Sequence, residues 1–511
     1  MSAPDPSDAS RRLSVAMIVK NAAETLPATL QSVSVLADEI VVLDTGSTDA
    51  TIDVARLHGA VVHQAAWQDS FAAARNECLQ HVTGDWVLWL DAGETLDATA
   101  ERQLHNFLGQ TADRDKAYLM FIERPALQAA GCTERIGQVR LHARRPELKF
   151  AGRLREQLLP SAVAAGMQVD ALDCSIHRTA ADHEPRRHAA RAERNLRLAD
   201  LALADEGEQP AWLAARAEAL AQLGRNDEAQ SVYRRLLEIA DRSDSEKLEG
   251  YYGLLTTMEG QPAASEGQVA ICLEALDVYP LDAQLLCAMG NYLLGEERLD
   301  LAARSYELAV RHGQVDPATW HLTELADVAA TCLSLVHQLQ GNTGKAIEVL
   351  REGLVERPQS ARLRRQIIEL YIKSGQGRDA IDECKRLPFD TPYRSQLSSV
   401  ARGAALTAAG QPTEGIALLA AAYESGCRDT LCLRWLATAY TTVKQWDQFE
   451  SIVADWEQIE PENPEIDGIR RLAARCRETG HTAFPAETPP QPIVPRPKGT
   501  LRRVTEPSRG V

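Results

Sequence analysis

The chain has 511 residues, 45% hydrophobic and 25% charged, which is too long for one core and suggests two to four domains of roughly 150 residues. A formal net charge of −17 argues against a nucleic-acid binder, which needs a basic face, and no apolar run approaches the roughly 20 residues that span a bilayer. Ten scattered cysteines without a Cys-x-x-Cys pair argue against a structural zinc or a disulfide framework and read as reduced, buried thiols.

Residues 1–12 contain Pro, Asp and Ser but no apolar stretch ahead of a cleavage site, so they read as a disordered N-terminus of a cytoplasmic protein. Strand-like runs follow at Leu13 to Val19, Glu39 to Leu43, Gly59 to His63 and Asp85 to Leu90. Amphipathic segments near Leu26 to Val35, Thr48 to Leu57 and Ser70 to His81 separate them. Strands alternating with helices predict right-handed crossovers and a mainly parallel, Rossmann-like α/β sheet over residues 13–187. Ligands on such sheets bind beyond the carboxyl ends of the strands.

Two carboxylate segments fall at such ends. Asp44-Thr45-Gly46-Ser47-Thr48-Asp49 places an acid after a strand, a glycine in the turn, and Ser47 or Thr48 as a helix N-cap. An acid there can accept hydrogen bonds from a nucleobase or ribose, or it can simply cap its own loop. Asp91-Ala92-Gly93-Glu94 has the layout of a short acidic metal motif with glycine in place of the second carboxylate, so that Asp91 and Glu94 become the pair for Mg²⁺ or Mn²⁺.

From residue 188 to 475 the chain reads as helix throughout. Small residues recur with a bulkier residue four positions on: Ala229 with Tyr233, Ala302 with Tyr306, Ala346 with Leu350, Ala380 with Cys384, Gly415 with Leu419. The steps from Ala346 to Ala380, Gly415 and Phe449 are 34, 35 and 34 residues, the tetratricopeptide period, and predict a solenoid of helix pairs. Longer steps of 73 and 44 residues before Ala346 imply a degenerate repeat and an insertion. Residues 476–511 are Pro-rich and read as a disordered tail.

Taken in order, Met17 to Asn21, Glu39 to Thr51, Ala73-Ala74-Arg75-Asn76 and Gly84 to Glu94 resemble the family 2 glycosyltransferases, most closely a bacterial subgroup fused to tetratricopeptide repeats. The resemblance implies a GT-A fold, a nucleotide-sugar donor, usually a uridine diphosphate (UDP) sugar, and transfer with inversion. It puts Lys20, Asn21, Asp44, Gly46, Ser47, Arg75 and Asp91 around the nucleotide. It matches Glu156, in Phe150-Ala151-Gly152-Arg153-Leu154-Arg155-Glu156, to the base that deprotonates the acceptor, with Arg155 where the subgroup has His. A cation beside Glu156 is expected to lower its basicity. His177 matches a strand-end His that would join Asp91 and Glu94 as metal ligand. Arg140, Arg144, Arg145 and Lys149 would either offset diphosphate charge or form a solvated basic face.

The leading expectation is an inverting glycosyltransferase whose repeats hold a protein or peptide acceptor. The alternative is a weak or inactive transferase domain serving the repeats as a scaffold, because Gly93 and Arg155 depart from the family pattern. The sequence assigns no oligomeric state.

Overall fold

A computed structural model describes residues 12–110, 112–126, 132–178, 185–259, 265–387, 392–461 and 463–479. The expected N-terminal disorder, apart from Arg12, and the tail from residue 480 lie outside them.

The first part alternates strand and helix: β1 (Leu13–Val19), α1 (Leu26–Val33), β2 (Glu39–Asp44), α2 (Thr51–Leu57), β3 (Val61–Gln64), α3 (Phe71–Gln80) and β4 (Trp86–Trp89). These four strands lie parallel in the order β3-β2-β1-β4. The central runs are apolar on both faces because both are covered. Val15, Met17, Val42 and Leu88 pack under α1, while Ala16, Val41, Leu43 and Trp89 pack under Ala72, Ala74 and Cys78 of α3.

A second half continues the sheet: β5 (Glu94–Thr95), α4 (Ala98–Gln110), β6 (Lys116–Pro125), β7 (Thr133–Ala143), α5 (Leu159–Ala164) and β8 (Gln168–Arg178). β7 joins β4 antiparallel, and the order runs on as β7-β6-β8-β5. The β5/β8 register sets Glu94 opposite Arg178 and Thr95 opposite His177. Because side chains alternate along a strand, the two pairs face opposite sides.

Helices follow as α6 (Pro185–Glu206) and then pairs: α7 (Pro210–Gln222) with α8 (Asn226–Ile239), α9 (Ser245–Met258) with α10 (Ser265–Val278), and α11 (Ala283–Gly295) with α12 (Leu299–His312). After β9 (His321–Leu322) come α13 (Leu325–Leu339) with α14 (Thr343–Glu356), α15 (Ala361–Lys373) with α16 (Gly377–Cys384), α17 (Pro392–Ala408) with α18 (Pro412–Glu424), α19 (Thr430–Thr442) with α20 (Trp446–Ile459), and α21 (Pro464–Thr479). The repeat positions Ala229, Ala302, Ala346 and Ala380 are fully buried. The 73-residue step contains the pair α9 and α10, and the 44-residue step contains β9. That short strand adds to β7, with Gly137 N–H donating to Pro317 O at 2.6 Å and Arg124 stacked 4.0 Å over Trp320. Cys476 to Thr479, expected in the tail, continue α21, where Cys476 is buried.

The division into compact units does not follow the change from sheet to helix. Among the described residues, one unit comprises those up to Pro280 with Val315–Thr323, and the other Leu281–Gln314 with those from Glu324 onward. The sheet and α6 to α10 therefore share a unit. Among the described residues no helix is long and apolar enough to cross a membrane.

His142 sits inside the sheet on β7, and burial pushes its imidazole down to about 4, although Nδ1 contacts Ala143 O at 2.9 Å. The folded ring stays neutral where the unfolded one, with an ordinary value near 6.5, takes a proton. Stability should therefore fall as pH drops from about 6.5 to 4, by on the order of 3 kcal/mol. Urea denaturation across this range should show the slope in the native chain and its loss in His142→Leu; an unchanged slope in the variant contradicts the assignment.

Candidate active site

Asp44 ends β2 between Val19 of β1 and Gln64 of β3, at the carboxyl edge of the sheet. It is only 1% exposed. Its Oδ1 accepts the N–H groups of Gly46 and Ser47, both at 3.0 Å. Its Oδ2 is buried and has no hydrogen-bond partner among the described residues. One oxygen of the carboxylate thus caps the loop, and the other is left without a donor among the described residues.

Ser47 and Thr48, expected as N-caps, serve elsewhere. Ser47 Oγ accepts Asn21 N–H at 2.8 Å, and Thr48 N–H donates to Asn21 Oδ1 at 2.8 Å, which ties the loops after β1 and β2 together. α2 starts later, with Asp49 Oδ1 accepting Thr51 N–H at 3.0 Å. Gly46 (φ +102°) leaves open space beside this loop, and Lys20 and Asn21 are exposed next to it.

Arg75 projects from α3 into the protein, with its guanidinium 4.5 Å from the Trp89 ring centre and 5.2 Å from that of Phe150. Its Nε donates to Glu156 Oε1 at 2.6 Å and its Nη2 to Asp91 Oδ1 at 3.1 Å. Burial works against its charge, but Glu156 and Asp91 outweigh it and hold the guanidinium above its ordinary value. Arg75 is therefore a buried bridge rather than a surface partner of Glu77 or Asp69.

Asp91 follows β4 and keeps 29% of its side chain exposed. Besides Arg75 it meets Arg178 at 3.2 Å and Arg140 at 3.5 Å, both at Oδ2. Burial pushes its carboxyl up, and these three arginines together drive it well below the usual carboxylate range. Glu94, 1% exposed, accepts Arg140 at 3.0 Å and Arg178 at 2.9 Å on Oε1, and Asp91 N–H at 2.9 Å on Oε2. Gly93 between them has φ +97°, a conformation that a carboxylate-bearing residue adopts only under strain.

The expected metal triad is not assembled. His177 lies on the other face of β8, with Nε2 3.6 Å from Asp97 and Nδ1 3.8 Å from Glu123. Every carboxylate oxygen of Asp91 and Glu94 already accepts an N–H, and no cluster of three His, Cys, Asp or Glu suited to a metal occurs among the described residues. Three arginines beside these acids oppose a further cation, so the residues present do not fit a protein-held divalent ion. The expected basic group also divides: Arg140 enters the site, while Arg144 Nε bonds Gly84 O at 2.8 Å and Arg145 bonds Arg114 O at 2.7 Å.

Glu156 is not neutralised by its sequence neighbour. Arg155 has φ +54° and turns to Glu218 of α7 and Glu249 of α9, so the cation at Glu156 is Arg75. Oε2 of Glu156 has no hydrogen-bond partner among the described residues. Arg178 was missed from sequence: the β5/β8 register makes it, and not His177, the residue opposite Glu94, and alternation along the strand turns His177 to the other face.

With this geometry in view, residues 14–111 match glycosyl transferase family 2 and residues 338–401 match the tetratricopeptide repeat. The chain thus combines a segment that matches glycosyl transferase family 2 with one that matches the tetratricopeptide repeat. It is similar to a TPR repeat-containing protein of Synechococcus elongatus, 37% identical over 163 residues covering 31% of this chain and 38% of that protein. An uncharacterized glycosyltransferase of Rickettsia bellii is 33% identical over 114 residues, 21% of this chain and 37% of its own length. The glycosyltransferase SunS of the SPbeta prophage in Bacillus subtilis is 32% identical over 78 residues, 15% and 18% respectively. The chain thus spans well under half the length of these relatives. The matches support a role in glycosyl transfer.

Breaking a buried ion pair by removing one partner typically costs about 3–5 kcal/mol, whereas replacing both by apolar groups can be nearly neutral. Arg140→Met should therefore lose about 3 kcal/mol in urea denaturation, and Arg140→Met/Glu94→Met should recover most of it. Additive losses in the double variant would contradict the coupling.

Proposed function

We propose that the sheet domain is an inverting glycosyltransferase of GT-A type. It moves a sugar from a nucleoside diphosphate donor, a UDP sugar, to a protein or peptide held by the repeats. The observation that carries the donor reading is the orphaned Oδ2 of Asp44, a buried acceptor at the carboxyl edge of a parallel sheet. A buried acceptor without a donor is costly, and an N–H of the uracil ring or a ribose hydroxyl supplies that donor. Lys20 and Asn21, exposed beside the Gly46 turn, then flank the nucleotide.

Inversion is a single displacement. Glu156 takes the proton from the acceptor hydroxyl or thiol, that atom bonds the anomeric carbon, and the bond to the diphosphate breaks as UDP departs. Arg75 binds Oε1 and fixes the carboxylate, which leaves Oε2 for the proton. Solenoids present extended surfaces suited to unfolded polypeptide, which favours a peptide acceptor over a free sugar. The scaffold reading draws on one observation, the saturation of Asp91 and Glu94 by arginine.

UDP release by the purified full chain, supplied with UDP-glucose, UDP-galactose or UDP-N-acetylglucosamine, tests the proposal. One donor should be turned over, and Glu156→Gln should lower that rate by about 10²-fold or more. Because Asp91 and Glu94 are already satisfied, release should differ less than threefold between Mn²⁺ and EDTA. Release from no donor would favour the scaffold, an unimpaired Glu156→Gln would remove the base, and a tenfold dependence on Mn²⁺ would show that the arginines yield to a cation.

A further inference from the structure

Residues 151–157 form a closed loop. Ala151 and Gln157 exchange both backbone hydrogen bonds at 3.0 Å, so Glu156 stands at the neck of the five residues between them. On one side the start of α3 holds the loop: Phe71 N–H donates to Arg153 O at 2.9 Å and Ala72 N–H to Gly152 O at 3.3 Å. On the other side lie the helices that follow the sheet. Gly152 has φ +103°, and a Cβ there would lie 3.2 Å from the Trp212 ring of α7 and 3.1 Å from Leu154 O. Leu154 packs on Leu198 and Ala199 of α6 and on Ala215 of α7. Arg153 pairs with Asp205 of α6, and Arg197 of α6 pairs with Asp69, just before α3, at 2.6 Å.

The strongest of these contacts is at Arg155. It is a non-glycine residue in the left-handed region (φ +54°), a conformation that persists only when its surroundings over-determine it. Its Nη2 donates to Glu218 Oε2 at 2.7 Å and its Nη1 to Glu249 Oε2, so two carboxylates from two different helices close on one guanidinium. Each of the three side chains is about three-quarters buried. A histidine at this position would reach neither acid with a two-pronged fork. The turn that brings Arg155 to α7 and α9 is the same turn that brings Glu156 to Arg75.

We propose that Glu218 and Glu249 are positioning residues: acting through Arg155, they set the Gly152–Glu156 loop and thereby the angle at which Glu156 meets Arg75. The first helices of the repeat region are then a working part of the catalytic domain. The catalytic half of this proposal rests on Glu156 being the base, whereas the mechanical half does not.

Both halves are read on the full chain with Glu218→Gln/Glu249→Gln and Arg155→Lys. Amide hydrogen exchange of residues 150–158 should quicken at least tenfold in the double variant, while β1 to β4 keep their protection. With the UDP sugar that the native chain turns over, kcat should drop at least tenfold with KM within twofold. Arg155→Lys, which keeps the charge, should stay closer to native in both readouts. Unchanged exchange in the loop overturns the proposal, as does loosening spread through the whole sheet or a loosened loop with native kcat. If the native chain releases UDP from no donor, it is the glycosyl transfer reading that fails, and the exchange result alone decides the clamp.

Discussion

The site depends on one buried guanidinium. Arg75 joins three pieces of chain far apart in sequence: helix α3 that carries it, the end of β4 through Asp91, and the loop after Phe150 through Glu156. Withdrawing an arginine from water is costly, and here the cost is offset by two carboxylates and two aromatic faces, Trp89 and Phe150. The aromatic pair is itself packed edge to face at 5.1 Å, so the bridge rests on the sheet core and not on surface loops. Geometry at the reacting edge is then inherited from the sheet.

The edge divides into two halves with different chemistry. Around Asp91, the acids Asp91, Glu94 and Glu156 meet Arg75, Arg140 and Arg178, three formal charges of each sign, and the cluster balances its own charge. Around Asp44 the loops are stitched together by Asn21 and Ser47, yet one buried oxygen is left over. A built framework with a single unsatisfied acceptor is what a ligand site looks like before the ligand arrives. In the proposed reaction, recognition rests on the Asp44 half, and the Asp91 half supplies rigidity and holds Glu156, the proposed base.

Legibility from sequence follows the same physics. Strands β1, β2 and β4 were readable because both faces are buried and the runs are almost wholly apolar, whereas the edge strand β3 is exposed or half-buried and was marked mainly by its two valines. β6 and β7 carry Lys116, Glu123, Arg124, Glu134 and Arg135 among their apolar residues, and their pairing is non-local, so no local period announced them. The strand-end positions of Asp44 and Asp91 were visible, and the resemblance supplied Arg75 and Glu156. His177, matched through the resemblance, faces away from Glu94 while Arg178 lies opposite it, because a one-residue difference along a strand exchanges faces, and the β5/β8 register is set only in the folded sheet. The expected pairing of Arg155 with Glu156 failed for a related reason: a left-handed turn aims neighbours apart, and Glu218 and Glu249 lie over sixty residues away.

The central claim, that Asp44 marks a nucleotide site left open by the fold, is tested most directly by calorimetric titration of UDP into the full chain and into Asp44→Asn. The account predicts binding by the native chain and a loss of at least tenfold in affinity in the variant, because one carboxylate acceptor becomes an amide. No binding of UDP by the native chain, or equal affinity in the two proteins, would contradict it.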